Sequence, residues 1–186
     1  MSVELSPIIA GVMNWGVWDK NLNTNEFTHL INLFIENGIT TFDHADIYGG
    51  YTTEASFGKA LSESKIERKK IQLISKCGIQ YVSENRPNNS IKHYEYSKDY
   101  IIWSAENSLK NLQTDYLDVL LLHRPSPLMQ ADEIAEAVSK LKADGKILSF
   151  GVSNFTSSQT ELLRQKTEIS FNQVQFSATH HEAMLD

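Results

Sequence analysis

The sequence predicts an α/β fold built on a parallel sheet, and three observations lead to this prediction. Short apolar runs alternate with helical patterns along nearly the whole chain, as expected of successive strand–helix units. The run Asp118–Leu122, DVLLL, is apolar enough for a strand that is covered on both faces. Polar and ionisable residues recur at the carboxyl ends of the predicted strands, where parallel α/β folds build their sites.

The first half of the chain contains three predicted strands and two predicted helices. Apolar residues recur with helical spacing, first at Phe27, Leu30, Ile31, Phe34 and Ile35, then at Ala55, Phe57, Ala60 and Leu61. Thr24 is the expected N-cap of the first helix, and Gly38 is the expected residue after its end. The elements in chain order are strand Ile8–Met13, helix from Thr24 to Gly38, strand Ile39–Asp43, helix Thr53–Ser64 and strand Ile71–Lys76.

The second half continues the alternation after one long irregular segment, Gly78–Tyr96. A loop of this length in a compact domain is usually functional or mobile, and Tyr81, Tyr94 and Tyr96 either line a pocket or pack the loop. Ser97 is the expected cap of the next helix. The elements that follow are this helix to Leu112, strand Tyr116–Leu122, helix Asp132–Asp144, strand Ile147–Val152, helix Ser157–Lys166 and strand Phe171–Gln175.

Length and composition predict one domain over residues 1–186. The strand count described below indicates that this domain is incomplete. The chain has 186 residues, of which 41% are hydrophobic and 22% charged, and no linker divides it. Lys and Arg number 17 against 23 Asp and Glu, which gives a net charge of −6. Without a basic block, nucleic acid is not an expected partner.

The sequence also excludes several kinds of site. Cys77 is the only cysteine, so no intramolecular disulfide and no CxxC metal motif exist, and a reducing cytoplasm is the expected location. We expect no metal site. The first residues show neither a basic segment nor a long apolar core of a signal peptide, and no apolar run is long enough to span a membrane.

The candidate site residues lie where successive strands end. Each has an ordinary structural interpretation by itself, such as a turn, a helix cap or a solvated strand end. Their recurrence at one end of consecutive strands favours a shared site instead. The residues are Asp43 and Tyr48 after the second strand, Lys76 at the third, His123 at the fourth, Ser153 and Asn154 at the fifth, and Gln173 in the sixth.

This set of side chains suits reduction of a carbonyl group. A buried lysine beside an aspartate favours the ionised pair, and its ammonium is expected to lower the pKa of a neighbouring tyrosine. Such a tyrosine can donate a proton to a developing alkoxide, while a histidine orients the carbonyl oxygen. Because proteins have no hydride donor of their own, a nicotinamide cofactor is implied. The amide and hydroxyl groups of Ser153, Asn154 and Gln173 suit its carboxamide.

Strand periodicity alone leaves a barrel and a doubly wound sheet open, but the motifs carry a resemblance. The segments FDHADIYGG, LISKCG, LLLHRP, GVSNF and FNQVQ resemble those of aldo-keto reductases, in the same order, from Ile9 to about His181. Within that family the chain is most similar to the bacterial YdhF-type oxidoreductases. The resemblance implies a parallel (β/α)₈ TIM barrel of aldo-keto reductase type, here ending after about six strands.

The resemblance also implies roles. Tyr48 would be the proton donor, Lys76 the group that tunes its pKa, Asp43 the partner of the lysine and His123 the group that orients the carbonyl of an aldehyde or ketone substrate. Ser153, Asn154 and Gln173 would bind the carboxamide of NADP(H), with NAD(H) as an alternative. His44 stands where the family more often has Thr, and it and Asp46 are expected to be bystanders.

The strand count departs from the family pattern. A barrel needs eight strand–helix units over ~250 residues, whereas this sequence contains six. Open sheet edges expose unpaired backbone groups, so self-association through these edges is expected. The alternative to an active reductase is therefore a truncated, catalytically inactive fragment, or a binding module on the same scaffold. Trp15 is expected either in the substrate pocket or in the core.

Overall fold

The chain forms a six-stranded parallel sheet with helices packed on it, in a computed structural model that describes residues 3–181 and 183. Six residues of the predicted domain, which covers residues 1–186, therefore lie outside the described part. The strands are β1 (Ile9–Gly11), β2 (Thr41–Asp43), β3 (Gln72–Cys77), β4 (Ile79–Gln80), β5 (His93–Tyr94), β6 (Leu117–Leu122), β7 (Ile147–Ser153) and β8 (Phe171–Gln173).

The helices separate the strands as predicted. They are α1 (Thr24–Glu36), α2 (Tyr48–Tyr51), α3 (Thr53–Glu63), α4 (Lys98–Leu112), α5 (Ala131–Ala143) and α6 (Ser157–Arg164), with a 3-10 turn at Arg68–Lys70. The sheet order is β1-β2-β3-β6-β7-β8, with every neighbouring pair parallel. Each strand of this sheet therefore pairs with the strand that precedes it in the sheet's own chain order.

The sheet and its helices share one large apolar core. Helices α1, α3, α4 and α5 pack against one another in chain order. The predicted apolar residues of α1 and α4 face the core. Strand β6 is buried at every position, as the run DVLLL predicts. Trp15 is 7% exposed and packs among Phe27, Phe34 and Phe57, so the core alternative holds for this residue.

Two local predictions need correction. The N-cap of α1 is Asn23, not Thr24. The Asn23 side chain accepts from the Glu26 amide, and the Glu26 carboxylate accepts from the Asn23 amide. In α3, Ala55 is exposed, while Glu54 and Gly58 lie on the buried face. Gly58 allows α3 to approach α4 closely, since a Cβ there would lie 2.1 Å from the Asn111 carbonyl oxygen.

The long segment after β3 contains an antiparallel hairpin that the sequence did not predict. Strands β4 and β5 pair through Ile79 with Tyr94 and Gln80 with His93. The hydroxyl of Tyr96 donates to the Arg124 carbonyl, which ties the base of the hairpin to the end of β6. The tip is attached to α2, where Asn85 Nδ2 donates to Gly50 O at 2.8 Å. The segment is therefore folded onto the carboxyl end of the sheet.

The two outer strands of the sheet are β1 and β8. Among residues 3–181 and 183, neither is paired with a further strand on its outer side. Self-association through these edges stays a prediction. Within the same residues, no helix is both long and apolar enough to cross a membrane.

Candidate active site

The lysine at the end of β3 lies at the centre of the site. Lys76 is 2% exposed, and its Nζ donates to Asp43 Oδ1 at 2.7 Å and to the His44 carbonyl at 2.8 Å. The same Nζ lies 3.3 Å from the hydroxyl of Tyr48. β2 and β3 are paired in parallel with Asp43 opposite Ile74, which places both strand ends at one edge of the sheet. Three of the four residues with predicted catalytic roles, Asp43, Tyr48 and Lys76, are thus in direct contact. We call these three residues and His123 the tetrad.

Tyr48 projects from a tight turn that glycine makes possible. Gly49 and Gly50 have φ values of 59° and 66°, in the left-handed region that favours glycine. A Cβ on Gly49 would also lie 2.4 Å from the Thr53 hydroxyl. The amide of Tyr48 donates to the Ala45 carbonyl at 3.1 Å, so the turn closes directly after β2. The Gly49–Gly50 pair in the sequence is therefore what lets the chain reverse and present the Tyr48 hydroxyl to Lys76.

His123 completes the predicted tetrad geometry from the end of β6. Its ring centroid lies 6.1 Å from that of Tyr48, with the planes at 80°. Its amide donates to the Cys77 carbonyl at 2.9 Å, which fixes the backbone beside β3. Burial lowers the pKa of His123 to about 3, and the charges of Lys76 and Arg124 add to the effect. The imidazole is therefore neutral at physiological pH.

The predicted direction of the Tyr48 pKa is wrong for this structure. Burial raises the pKa of Tyr48 above its ordinary value, and the charges of Asp43 and Asp46 raise it further. Burial likewise lowers the pKa of Lys76, although the Asp43 carboxylate opposes this change. Sequence alone does not reveal how deeply the hydroxyl lies, and desolvation raises its pKa despite the ammonium at 3.3 Å. Tyr48 consequently holds its proton firmly.

The three predicted carboxamide-binding residues meet where β7 and β8 end. Ser153 Oγ donates to the Gln173 carbonyl at 3.1 Å and accepts from Asn154 Nδ2 at 2.8 Å. The Asn154 amide donates to the Gln173 carbonyl at 2.9 Å, and Asn154 has a left-handed φ of 61°. Asn154 Nδ2 also approaches the His123 carbonyl at 3.4 Å. This group is therefore adjacent to the tetrad rather than a separate site.

All seven predicted site residues line one cleft of about 650 Å³. Trp18, which sequence reasoning missed, also lines it and lies edge-on to Tyr48, with ring centroids 6.2 Å apart. Tyr94 lines the cleft, whereas Tyr81 stacks on Tyr51 and Tyr96 is buried in the base of the hairpin. In the sequence, Trp18 is marked as a site residue only by its position in the loop after β1. Every other residue of that loop shares this feature.

A second buried polar cluster, also missed from the sequence, lies behind the tetrad. Asp46 Oδ2 accepts from Ser104 at 3.1 Å and from Tyr100 at 3.3 Å. Glu54 Oε1 accepts from Ser75 at 2.6 Å. Burial raises the pKa of Asp46 to about 8, with the charge of Glu54 as the next cause. Asp46 therefore joins the Tyr48 turn to helix α4, which is more than the bystander role predicted for it.

His44 packs in the core and lies away from the cleft. Its ring lies 4.4 Å from that of Phe57, and neither ring nitrogen has a hydrogen-bond partner among residues 3–181 and 183. Burial lowers the pKa of His44 to about 3. The thiol of Cys77 is buried and free, and no cluster of three metal-ligating side chains occurs in the described part of the chain.

Comparison with known proteins identifies the family. The family model "Aldo/keto reductase family" matches residues 7–185. The chain is 46% identical to the oxidoreductase YcsN of Bacillus subtilis and 45% identical to the oxidoreductase YdhF of Escherichia coli, covering 99% and 98% of this chain and 61% of each relative. The chain thus spans about three fifths of the length of these relatives.

Solved structures agree in fold. The glycerol dehydrogenase AKR11B4 of Gluconobacter oxydans superposes with a TM-score of 0.86 at 26% identity, over 100% of this chain and 56% of that protein. The aldo-keto reductase AKR11C1 of Bacillus halodurans, in its holo form, gives a TM-score of 0.80 at 27% identity, over 94% and 55%. The six-stranded parallel sheet corresponds to part of the barrel of these enzymes, and the chain belongs to the aldo/keto reductase family.

Proposed function

We propose that the chain carries the acid–base centre of an NADP(H)-dependent reductase that converts an aldehyde or ketone to an alcohol. One observation carries the proposal. Lys76 Nζ lies within 2.7 Å of the Asp43 carboxylate and 3.3 Å of the Tyr48 hydroxyl, inside a cleft that His123 also lines. An ammonium that contacts both an acid and a phenol is the arrangement expected of a tuned proton donor. Family membership supports the same reaction class.

Tyr48 is the proposed general acid. Because burial raises its pKa, it is protonated at physiological pH and has a proton to give to the carbonyl oxygen as charge develops there. The Lys76 ammonium at 3.3 Å stabilises the phenolate that remains, while Asp43 holds the ammonium in place. Lys76 and Asp43 thus act on the proton transfer through Tyr48.

His123 is proposed to orient the carbonyl oxygen. With a pKa of about 3 its ring is neutral, so it offers a hydrogen bond without competing with Tyr48 as a stronger acid. Its Nδ1 is buried and has no partner within residues 3–181 and 183. Its ring meets that of Tyr48 nearly at a right angle, so a carbonyl oxygen bound between them can contact both groups.

The residues present fit a nicotinamide carboxamide. The side-chain amide of Gln173 and the Oδ1 of Asn154 form no hydrogen bond to a described residue, although both residues line the cleft. They offer donors and an acceptor that match a primary carboxamide, and Ser153 holds Asn154 in place. When bound, the nicotinamide supplies the hydride that the carbonyl carbon receives. The preference for NADP(H) over NAD(H) follows the family resemblance.

Cofactor binding and turnover test the proposal together. We expect NADPH to quench the fluorescence of the purified chain with micromolar affinity, measured beside NADH, and a panel of aldehydes to be reduced. Tyr48→Phe is expected to lower kcat by about 10²–10⁴ because the general acid is removed, with little change in NADPH affinity. Tyr81→Phe is the matched control, since Tyr81 lies in the neighbouring loop, is not part of the cleft lining, and donates its hydroxyl to the Ile47 carbonyl at 3.3 Å.

A Tyr48→Phe variant that reduces aldehydes as fast as wild type would remove the general-acid assignment. The competing function is a non-catalytic module, or an inactive fragment, on the same scaffold. It predicts that the folded chain neither binds NADPH nor reduces any aldehyde of the panel. We place the protein in the cytoplasm, since its single cysteine is a buried free thiol that suits a reducing compartment.

A further inference from the structure

The charges that line the tetrad cleft differ from those of the chain as a whole. The sequence carries a net charge of −6. The cleft instead has Lys76, Lys92 and Arg124 in its lining, against Asp43 as its only carboxylate among the described residues. Because Asp43 is bound to Lys76 at 2.7 Å, the remaining two cations are uncompensated. The cleft is a basic site in an acidic protein.

Lys92 and Arg124 have no acidic partner within the part of the chain that the structure describes. Neither side chain forms an ion pair or a hydrogen bond with any residue in the described ranges 3–181 and 183, whereas Lys98, Lys140 and Lys146 are all paired. Both cations are exposed at the mouth of the cleft. An unpaired lysine or arginine at an opening raises the local concentration of anions and can bind one directly.

The backbone holds both residues beside the proposed chemistry. Arg124 directly follows His123, and its amide donates to the Tyr96 hydroxyl at 3.2 Å. Lys92 directly precedes β5, whose Tyr94 is paired with Ile79 and lines the same cleft. Both positions are thus anchored by folded elements, and both residues line the same cleft as Tyr48.

The remaining lining residues indicate what kind of chain joins the anionic group of the substrate to its carbonyl group. Met13, Trp18, Ile47 and Ile79 give the cleft an apolar wall, and Met13 and Trp18 remain 45% and 46% exposed. Such a surface favours a carbon chain over a ligand that is polar throughout. The cleft therefore combines a proton donor, an apolar wall and two free cations.

We propose that the substrate is an anionic carbonyl compound: an aldehyde or ketone that also bears a carboxylate or a phosphate ester, bound by Arg124 and Lys92. The substrate class rests on the reductase function proposed above. Arg124 supplies the planar fork that matches two oxygens of either anion, and Lys92 adds a second point charge. The carbonyl end then lies toward Tyr48 and His123, and the anionic end lies at the mouth.

Pairs of substrates that differ in one anionic group test whether the cleft prefers a charged substrate. Succinic semialdehyde and its primary amide differ only in the anionic group, and glycolaldehyde phosphate beside glycolaldehyde tests the phosphate source. We expect kcat/KM to favour the charged member of at least one pair by about tenfold, the effect of one charge-assisted hydrogen bond at an open site. The pair with the larger ratio identifies which anion the site takes.

Variants then assign the effect to the two cations. Arg124→Gln is expected to reduce the charged-to-neutral ratio of kcat/KM several-fold, and the double variant with Lys92→Gln to bring it near one. Lys110→Gln is the control: this exposed lysine on α4 has no ion pair with a described residue and does not line the cleft, so the ratio should not change. A ratio near one in wild type, or one that the double variant leaves unchanged, would overturn the inference.

Binding of a product separates this inference from the reductase function. Calorimetry with γ-hydroxybutyrate and its amide needs neither cofactor nor turnover. Preference for the acid, lost in the double variant, supports the anion site even if no aldehyde is reduced. Equal reduction of both members of each pair leaves the reductase function standing and removes the substrate class. A loss of NADPH affinity in Arg124→Gln, with the substrate ratio retained, would assign the cations to the cofactor instead and contradict the inference.

Discussion

Two aspartates three residues apart, Asp43 and Asp46, are both buried yet have different surroundings. Asp43 ends β2 and forms a 2.7 Å salt bridge with Lys76. Asp46 lies in the following turn, where its carboxyl accepts hydrogen bonds from Ser104 and Tyr100 on α4, and burial raises its pKa to about 8. Both acids have low exposure, and they differ in the groups that contact their carboxylates. A buried acid beside an ammonium serves as an ion, and one beside hydroxyl groups becomes a neutral structural link.

The largest expected effect comes from removing the cation from the first aspartate. Lys76→Met leaves Asp43 buried without its partner, and we expect a loss of about 3–5 kcal/mol in the free energy of unfolding, measured in urea. Adding Asp43→Asn should restore much of this stability, because the unpaired charge is gone, but should restore no activity. The control Lys140→Met breaks an exposed pair with Asp144 and should cost less than about 1 kcal/mol. Equal losses in both single variants would contradict the contrast between buried and exposed pairs.

The second aspartate should affect stability through pH. The pKa of Asp46 rises from 3.8 to about 8 on folding, so the folded state binds the extra proton between these values. Its stabilising effect is complete below pH 3.8 and is lost as the pH rises through about 8. Relative to Asp46→Asn, we expect wild type to lose about 1 kcal/mol of unfolding free energy per pH unit in this range.

Urea unfolding of both proteins between about pH 5 and pH 8 measures this difference. Glu54, whose pKa burial also raises, is retained in both, so the comparison isolates Asp46. Asp19→Asn, at an exposed acid, should leave the slope as in wild type. Parallel slopes in wild type and Asp46→Asn would mean that Asp46 is ionised in the folded protein.

His44 should produce the opposite slope at acid pH. Its pKa falls from 6.5 to about 3 on folding, so its contribution is present above pH 6.5 and is lost as the pH falls toward 3. We expect wild type to lose about 2 kcal/mol relative to His44→Thr between neutral pH and about pH 5. Thermal unfolding at both pH values measures this. His123 titrates in the same direction but is common to both proteins. A constant difference would show that folding leaves the pKa of His44 unchanged.

The smallest expected effect is at Arg86, a cation whose charge acts on Asp46 of the second buried polar cluster. Its guanidinium lies 4.7 Å from the Tyr51 ring centroid and 4.4 Å from that of Trp103, and its charge lowers the pKa of Asp46. Arg86→Met should cost about 1–2 kcal/mol of unfolding free energy and move the alkaline limb to higher pH. Arg164→Met, at an exposed arginine on α6, is the control. An unchanged alkaline limb would mean that Arg86 does not act on Asp46.

The difference between the two acids also shows what the sequence could predict. Strand ends follow from apolar runs, so the neighbouring positions of Asp43, Lys76 and His123 were predicted. Burial of Asp46 and Glu54 was not, because it depends on Ser75, Ser104 and Tyr100, which come from distant parts of the chain. The upward pKa shift of Tyr48 was missed for the same reason, since desolvation depends on the whole surrounding fold.

The order of the sheet has a consequence for synthesis on the ribosome. Each strand of β1-β2-β3-β6-β7-β8 pairs with the strand of this sheet that precedes it in the chain, so each new strand finds its partner already synthesised. Chains emerge from the N-terminus at about 5–20 residues per second. The acid–base group, which ends at His123, can assemble on the nascent sheet before Ser153 and Gln173 have been translated. The residues proposed to transfer the proton are thus in place before those proposed to hold the cofactor.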